Sequence, residues 1–301
     1  MYRTFEDIEK TILAGGVTRR IALMNAQVSY SLHAVVDAKR RGIVTAALLG
    51  DCEKIKALLD ELEEPREDYI LVENPDSAAC ARQAVAMCKA GEADYPMKGL
   101  MQTTDFMRAI LDKEHGLLPA GGLLSQSTIV EYPGENRFLF IADCAINIAP
   151  DFSQKMKIIN NTVGLAHRIG IECPKVAVLS ALEVVNPKIQ STVDAFELQK
   201  ANEAGTIPGC IVNGPLALDN AVSKEAAAHK GVTGPVAGNA DILIVPDLAA
   251  GNIFTKSLTF FAKMNSAGTL LGTSRPVIAA SRTDTPQNKY NAILIALLQD
   301  L

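Results

Sequence analysis

Ile43-Val44-Thr45-Ala46-Ala47-Leu48-Leu49 is a short, almost wholly apolar run, and Glu53-Lys54-Ile55-Lys56-Ala57-Leu58-Leu59-Asp60-Glu61-Leu62-Glu63-Glu64 follows it with apolar residues set among charges. The first run reads as a buried strand and the second as a helix, with Asp51 placed to act as its N-cap. The same switch recurs on either side. Upstream, Arg20–Asn25 is a strand-like run and Ser31–Arg41 a helical pattern. Downstream, Tyr69–Glu73 reads as a strand, and Asp76-Ser77 opens a helix that continues to about Lys89 before Gly91 stops it. Ala93–Met101 fits a further strand and Thr103–Glu114 a further helix. Strands and helices alternating through connections this short predict a doubly wound α/β layer.

Beyond Leu118-Pro119-Ala120-Gly121-Gly122 the texture changes. Ser127–Tyr132 and Arg137–Ala142 flank the turn cluster Pro133-Gly134-Glu135-Asn136, which predicts a β-hairpin and marks a change of domain. Alternation then resumes, with helices near 152–169, 188–204, 219–229 and 253–263 and strands at 175–179, 210–213 and 241–245. The chain closes with a strand over Pro276–Ala280 and a helix over Pro286–Leu298.

With 48% apolar and 21% charged residues in 301, the chain has the composition of a folded protein with a substantial core. No apolar run approaches the ~18 residues of a membrane span, and the N-terminus lacks an apolar signal core. A cytoplasmic location is expected. The formal charge of −5 argues against general nucleic-acid binding, which needs a basic face. It leaves room for a small anion held by a few cations. The six cysteines form no C-x-x-C pair and read as small core side chains, and the four histidines are isolated with no H-E-x-x-H.

Gly231–Gly238 is the densest glycine stretch, but it has neither dinucleotide nor P-loop spacing and leads into a strand. It reads as a tight loop with close backbone approach. Pro276–Tyr290 is more informative. A buried strand ends at Ala280, Ser281-Arg282 follow at its carboxyl end, and a helix begins with Asp284 or Thr285 as N-cap and Pro286 in its first turn. Ligands of open α/β sheets bind outside the carboxyl ends of strands, where helix N-termini offer free amides to anions. A hydroxyl, a guanidinium and a carboxylate therefore converge where a phosphate would bind. On spacing alone, Ser281 as a turn residue and Asp284 as a cap explain the pattern equally well. Lys98, Thr103, Thr104 and Arg108 gather at the next such end; Arg108 either reaches an anion or pairs with Asp112. Asp143 and Asp247, also at strand ends, read as structural acceptors of loop amides, and turn chemistry accounts for Ser125 and Ser127.

The segments K-G-L-M-Q-T-T-D-F-M-R-A-I-L (98–111), F-L-F-I-A-D-C-A-I-N (138–147), K-V-A-V-L-S-A-L-E (175–183), 211–231, 236–256 and S-R-T-D-T-P (281–286) resemble, in order, the phosphate acyltransferases, that is, the phosphate acetyl- and butyryltransferases. They cover most of the chain from Lys98 onward. The resemblance implies two α/β/α domains like those of isocitrate and isopropylmalate dehydrogenases, with a cleft between them. The first domain would be discontinuous, 1–120 plus 270–301, and the second would span 121–269. It also implies reversible acyl transfer between coenzyme A and phosphate, with the CoA thioester as substrate and no bound cofactor or metal. A homodimer or larger homo-oligomer is implied, with no nucleic-acid or membrane partner. Ser281 matches the serine that contacts the CoA sulfur, Arg282 the arginine that binds phosphate, and Arg108 a second phosphate-binding arginine. Thr104 and Ser127 join them as substrate-binding candidates.

The acetyltransferases carry a proposed base seven residues after the serine, and here that position is Asn288. Asp284 fits the butyryl-type pattern Ser-Arg-x-Asp and becomes the candidate base, and Gly214-Pro215-Leu216-Ala217-Leu218-Asp219 also resembles the butyryl type. Acetyl transfer is the alternative. A non-catalytic acyl-CoA or phosphate-binding protein and a metal-dependent dehydrogenase on the same fold are the rivals.

Overall fold

The computed structural model describes residues 1–301 apart from Val17, Val28 and Arg282. In chain order the elements are α1 (Phe5–Gly15), β1 (Arg19–Met24), α2 (Ser29–Arg40), β2 (Val44–Gly50), α3 (Cys52–Glu61), a 3-10 turn (Arg66–Asp68), β3 (Ile70–Glu73), α4 (Ser77–Ala90), β4 (Tyr95–Lys98) and α5 (Thr103–Leu111). There follow β5 (Ser125–Tyr132), β6 (Arg137–Ala142), α6 (Phe152–Ile169), β7 (Lys175–Leu179), α7 (Gln190–Glu203), β8 (Ile211–Leu216), α8 (Leu218–Val222), α9 (Lys224–His229), β9 (Ile242–Ile244) and α10 (Leu248–Phe260). The last two are β10 (Ser266–Leu271) and α11 (Pro286–Leu298). The chain divides into two compact units, one comprising 5–122 with 267–301 and the other 1–4 with 123–266. Among the described residues no helix is long and apolar enough to cross a membrane.

In the unit of 5–122 and 267–301 the parallel strands run in the order β3-β2-β1-β4. The predicted strand over Pro276–Ala280 shrinks to a short segment. Ile278 bridges Met97 in parallel and Val277 bridges Leu270 of β10 in the antiparallel sense. Ile278 is fixed beside β4 by two backbone bonds, to the Pro96 carbonyl (3.0 Å) and from the Lys98 amide (2.9 Å). The returning chain then enters α11, whose N-cap Thr285 accepts the Asn288 amide, with Pro286 opening the first turn. Residues 288–298 of α11 are buried all round, as the run A-I-L-I-A-L-L demands. Each large aliphatic side chain so buried contributes about 1.5–3 kcal/mol. Helices α1 and α2 pack against it. The seam is closed by Glu9, which accepts from Tyr290 Oη (2.8 Å) and Arg41 (2.7 Å) while the Arg41 guanidinium lies over the Tyr290 ring.

In the unit of 1–4 and 123–266 the hairpin forms as predicted, with Ser127 opposite Ala142 and Tyr132 opposite Arg137. Strand β6 then pairs in parallel with β9, β9 with β7, and β7 with β8. Val130, Leu139, Ile141, Leu179 and Leu243 form part of its core. Helix α6 starts at a capping box made by Asp151 and Gln154 and ends at left-handed Gly170. The single helix expected over 219–229 is two, because Ser223 leaves the helical conformation and caps α9 by accepting the Ala226 amide. Cys80, Cys88, Cys144 and Cys210 are buried, as core cysteines should be, whereas Cys173 is exposed. Burial pushes the thiols of Cys88 up to about 12 and Cys210 up to about 11.

Candidate active site

Two loops leave neighbouring strands at the same end of the first-described sheet. Residues 99–102 leave β4 and lead into α5, while residues 279–285 leave the segment paired with it and lead into α11. Lys98 is buried at the end of β4. Thr104 and Arg108 are exposed one turn apart on α5, so both face outward on one side of the helix. Asp112 does not pair with Arg108. Its carboxylate accepts the backbone amides of Glu114 (3.0 Å) and His115 (2.7 Å), which ends α5 at Leu111 instead of Glu114. Arg108 makes no ion pair among the described residues, so its guanidinium is available to an anion.

The second loop is folded on itself. Asp284 Oδ2 accepts the Ser281 amide at 2.8 Å, and the Asp284 amide donates to the Ser281 carbonyl at 3.1 Å. The Ser281 hydroxyl lies 3.2 Å from that of Thr283. Thr285, not Asp284, caps α11. The Asp284 carboxylate is instead tied to the turn through Oδ2. Asn288, at the position of the acetyltransferase aspartate, is buried in the first turn of α11 with its amide on Thr285. Lys289 donates to the Asp284 carbonyl and fixes the loop from beneath. Arg282 lies outside the described residues.

Ser127 belongs to the other unit. It is fully buried on β5, and its Oγ has no hydrogen-bond partner among the described residues. In that unit Asp143 accepts the amides of Gln126 (3.2 Å), Ala145 (2.9 Å) and Ile146 (3.0 Å) and the side chain of Asn147 (2.6 Å). Asp247 caps α10 by accepting the Ala250 amide. Both have the structural role expected of them. Gly238 shows the expected close approach: with φ +67, a Cβ there would stand 2.5 Å from the Lys224 backbone. All four histidines are exposed, and no cluster of His, Cys, Asp or Glu able to hold a metal occurs among the described residues.

Ser281 and Asp284 on one strand-end loop, and Arg108 on the helix that the adjoining loop leads into, suit an anionic substrate and acid–base work. The family model described as phosphate acetyl/butaryl transferase matches residues 77–297. The chain belongs to that family. The match of this phosphate acyltransferase to its relatives also takes in the N-terminal third, which carries no motif of its own. A phosphate butyryltransferase of Clostridium acetobutylicum is 42% identical over 298 residues, 99% of this chain and 98% of its own length. A phosphate acetyltransferase of Thermotoga maritima is 40% identical over 290 residues, covering 96% and 98%. The crystal structure of a branched-chain phosphotransacylase from Enterococcus faecalis superposes with a TM-score of 0.82 at 32% identity, covering 93% of this chain and 98% of that one. Asn25, directly after β1 and bonded to the Leu100 carbonyl of the 99–102 loop, carries no sequence motif. An asparagine directly after an apolar strand is its only signal.

Proposed function

We propose that the chain transfers a butyryl or similar short acyl group between coenzyme A and inorganic phosphate, giving acyl phosphate. The observation that carries this reading is the pair of adjoining strand ends, one leading into α5 with Thr104 and Arg108 and the other carrying Ser281 and Asp284. In the direction of acyl phosphate formation a phosphate oxygen attacks the thioester carbonyl carbon, the C–S bond breaks, and the sulfur leaves as CoA thiolate. Arg108 and Arg282 hold the phosphate and orient it, which lowers the barrier by making the attack effectively unimolecular. Ser281 contacts the sulfur. In the reverse direction Asp284 takes the thiol proton. A thiol of pKa near 8.5 is only a few per cent ionised at pH 7, so a positioned carboxylate contributes about 10²–10⁴-fold.

Transfer is direct, within a complex of both substrates. The sequence around Ser281 supports this, because no histidine or lysine stands close to it there to make it a nucleophile. The butyryl preference is supported by the butyryltransferase relative and by Asn288 standing where acetyltransferases have aspartate; the acetyltransferase relative, nearly as similar, supports acetyl transfer as the second reading. Ser127, buried on β5 of the other unit, remains a substrate-binding candidate on the resemblance alone. The chain works as a homo-oligomer in the cytoplasm, with acyl-CoA and phosphate as its partners.

The test is phosphate-dependent release of free thiol from acetyl-, propionyl-, butyryl- and isobutyryl-CoA by the purified protein. A butyryl or isobutyryl optimum is expected. An acetyl optimum keeps the reaction and overturns the acyl preference, and no release from any of them moves the chain to a binding role.

A further inference from the structure

Asn25 is one of four non-glycine residues in the left-handed region among the described residues, with φ +48. It is 7% exposed. Its Nδ2 donates to the Leu100 carbonyl at 3.2 Å and to Ser77 Oγ at 3.3 Å, and its backbone amide donates to Cys80 Sγ at 3.3 Å. One side chain thus ties the carboxyl end of β1 to the first turn of α4 and to the loop between β4 and α5. The Leu100 carbonyl can only accept, which fixes the end of the Asn25 amide that faces it.

The loop depends on that tie. Gln102, at the cap position of α5, makes no side-chain capping bond. Among the described residues the Asn25–Leu100 bond is the only side-chain hydrogen bond that reaches residues 99–104. Gly99 lies so close to the end of β1 that a Cβ there would stand 1.9 Å from the Met24 carbonyl oxygen and 2.8 Å from that of Asn25. Backbone packing therefore presses the loop onto residues 24–25, and the Asn25 amide sets where it goes next, into α5.

We propose that Asn25 is a positioning residue for phosphate: it fixes the 99–102 loop so that Thr104 and Arg108 meet the anion in register. The inference rests on the assignment of Arg108 to phosphate. It explains why this position needs asparagine. Glycine supplies the left-handed backbone without the donor, and aspartate keeps the shape but sets an oxygen against the Leu100 carbonyl.

The experiment is steady-state kinetics of Asn25→Gly and Asn25→Asp with each substrate varied, in wild-type and Arg108→Ala backgrounds. Loss of a buried hydrogen bond that orients a binding group is expected to raise KM for phosphate about tenfold in both variants, with KM for acyl-CoA changed less than about twofold. With Arg108→Ala present, the further effect of Asn25→Gly on phosphate should vanish. Ser77→Ala removes one anchor and leaves residue 25 in place. It is the variant to use should Asn25→Gly fail to fold, with about a threefold rise expected. Unchanged phosphate saturation in the folded variants, or equal weakening for both substrates, overturns the proposal. So does a phosphate effect that survives undiminished beside Arg108→Ala. If Arg108→Ala alone leaves phosphate saturation intact, the assignment of Arg108 is what fails.

Discussion

Asp284 is asked for two things that a single substitution can separate. As an acceptor it holds the Ser281 amide and shapes the turn; as a base it takes the proton of the CoA thiol. Asp284→Asn keeps an acceptor for that amide and removes the base. Turnover is expected to fall about 10²–10⁴-fold while the melting temperature stays close to that of the parent chain. Wild-type turnover in the folded variant would return Asp284 to the turn alone. Sequence pattern goes a long way at this residue, since strand end, turn and helix start bring Ser281, Asp284 and Thr285 together by simple succession. It goes no further than succession. Which of Asp284 and Thr285 caps the helix depends on a difference of one residue in where α11 starts, and the fate of Arg108 depends on Asp112 choosing backbone amides over a guanidinium. Asn25 is silent because its importance comes from chain segments up to 75 residues away.

At the scale of elements, Glu64 joins α2 to the start of β3. It is buried and accepts from Lys39 (2.9 Å), Arg40 (2.6 Å) and the Tyr69 hydroxyl (2.6 Å). Burial alone would raise its pKa, but those three donors outweigh it and hold the carboxyl below the usual range. A lowered folded-state pKa gives stability that is fully present above the unfolded value, about 4.3, and lost as pH falls through the folded value. Glu64→Gln is therefore expected to cost about 1–3 kcal/mol in denaturant unfolding at pH 7, and progressively less as pH falls from the unfolded value through the lower folded one. A gap that stays the same size as pH falls would contradict this. Elements with strong end signals are the ones legible in sequence: α6, β7 and α11 occupy the stretches expected of them. Helix α1 is not among the expected elements, although Phe5, Ile8 and Ile12 set buried apolar residues on one face. Helix α10 starts at Leu248, not near Ile253, because Asp247 caps a run, L-A-A-G-N, that is poor in helical periodicity. Its Gly251 is there for packing: a Cβ would stand 2.7 Å from the Asp143 carbonyl oxygen. Strand β10, S-A-G-T-L-L, has too little β-propensity to announce itself.

On the scale of the whole molecule, α10 turns an apolar face outward. Ile253 is 71% exposed and Phe260 48%, on the side opposite buried Gly251 and Thr255, and Phe261 just past the helix is 88% exposed. Such a patch suits burial against a second copy. Light scattering should give a native mass at least twice 32.1 kDa, reduced to about one chain by Ile253→Glu with Phe261→Glu. A wild-type mass of one chain would show that no second copy covers this face. The route of the chain has its own consequence. One unit is built from 5–122 and 267–301, so its sheet and its buried helix α11 are completed only after the whole of 123–266 has been made. On the ribosome, residues 123–266 can form their own core first, while the earlier residues wait with the edge of β4 bare and the apolar sides of α1 and α2 uncovered. A chain cut short before Pro276 would therefore lose more than a tail. It would be an adhesive fragment, dependent on chaperones until degraded, even though every strand of its middle unit could already have formed.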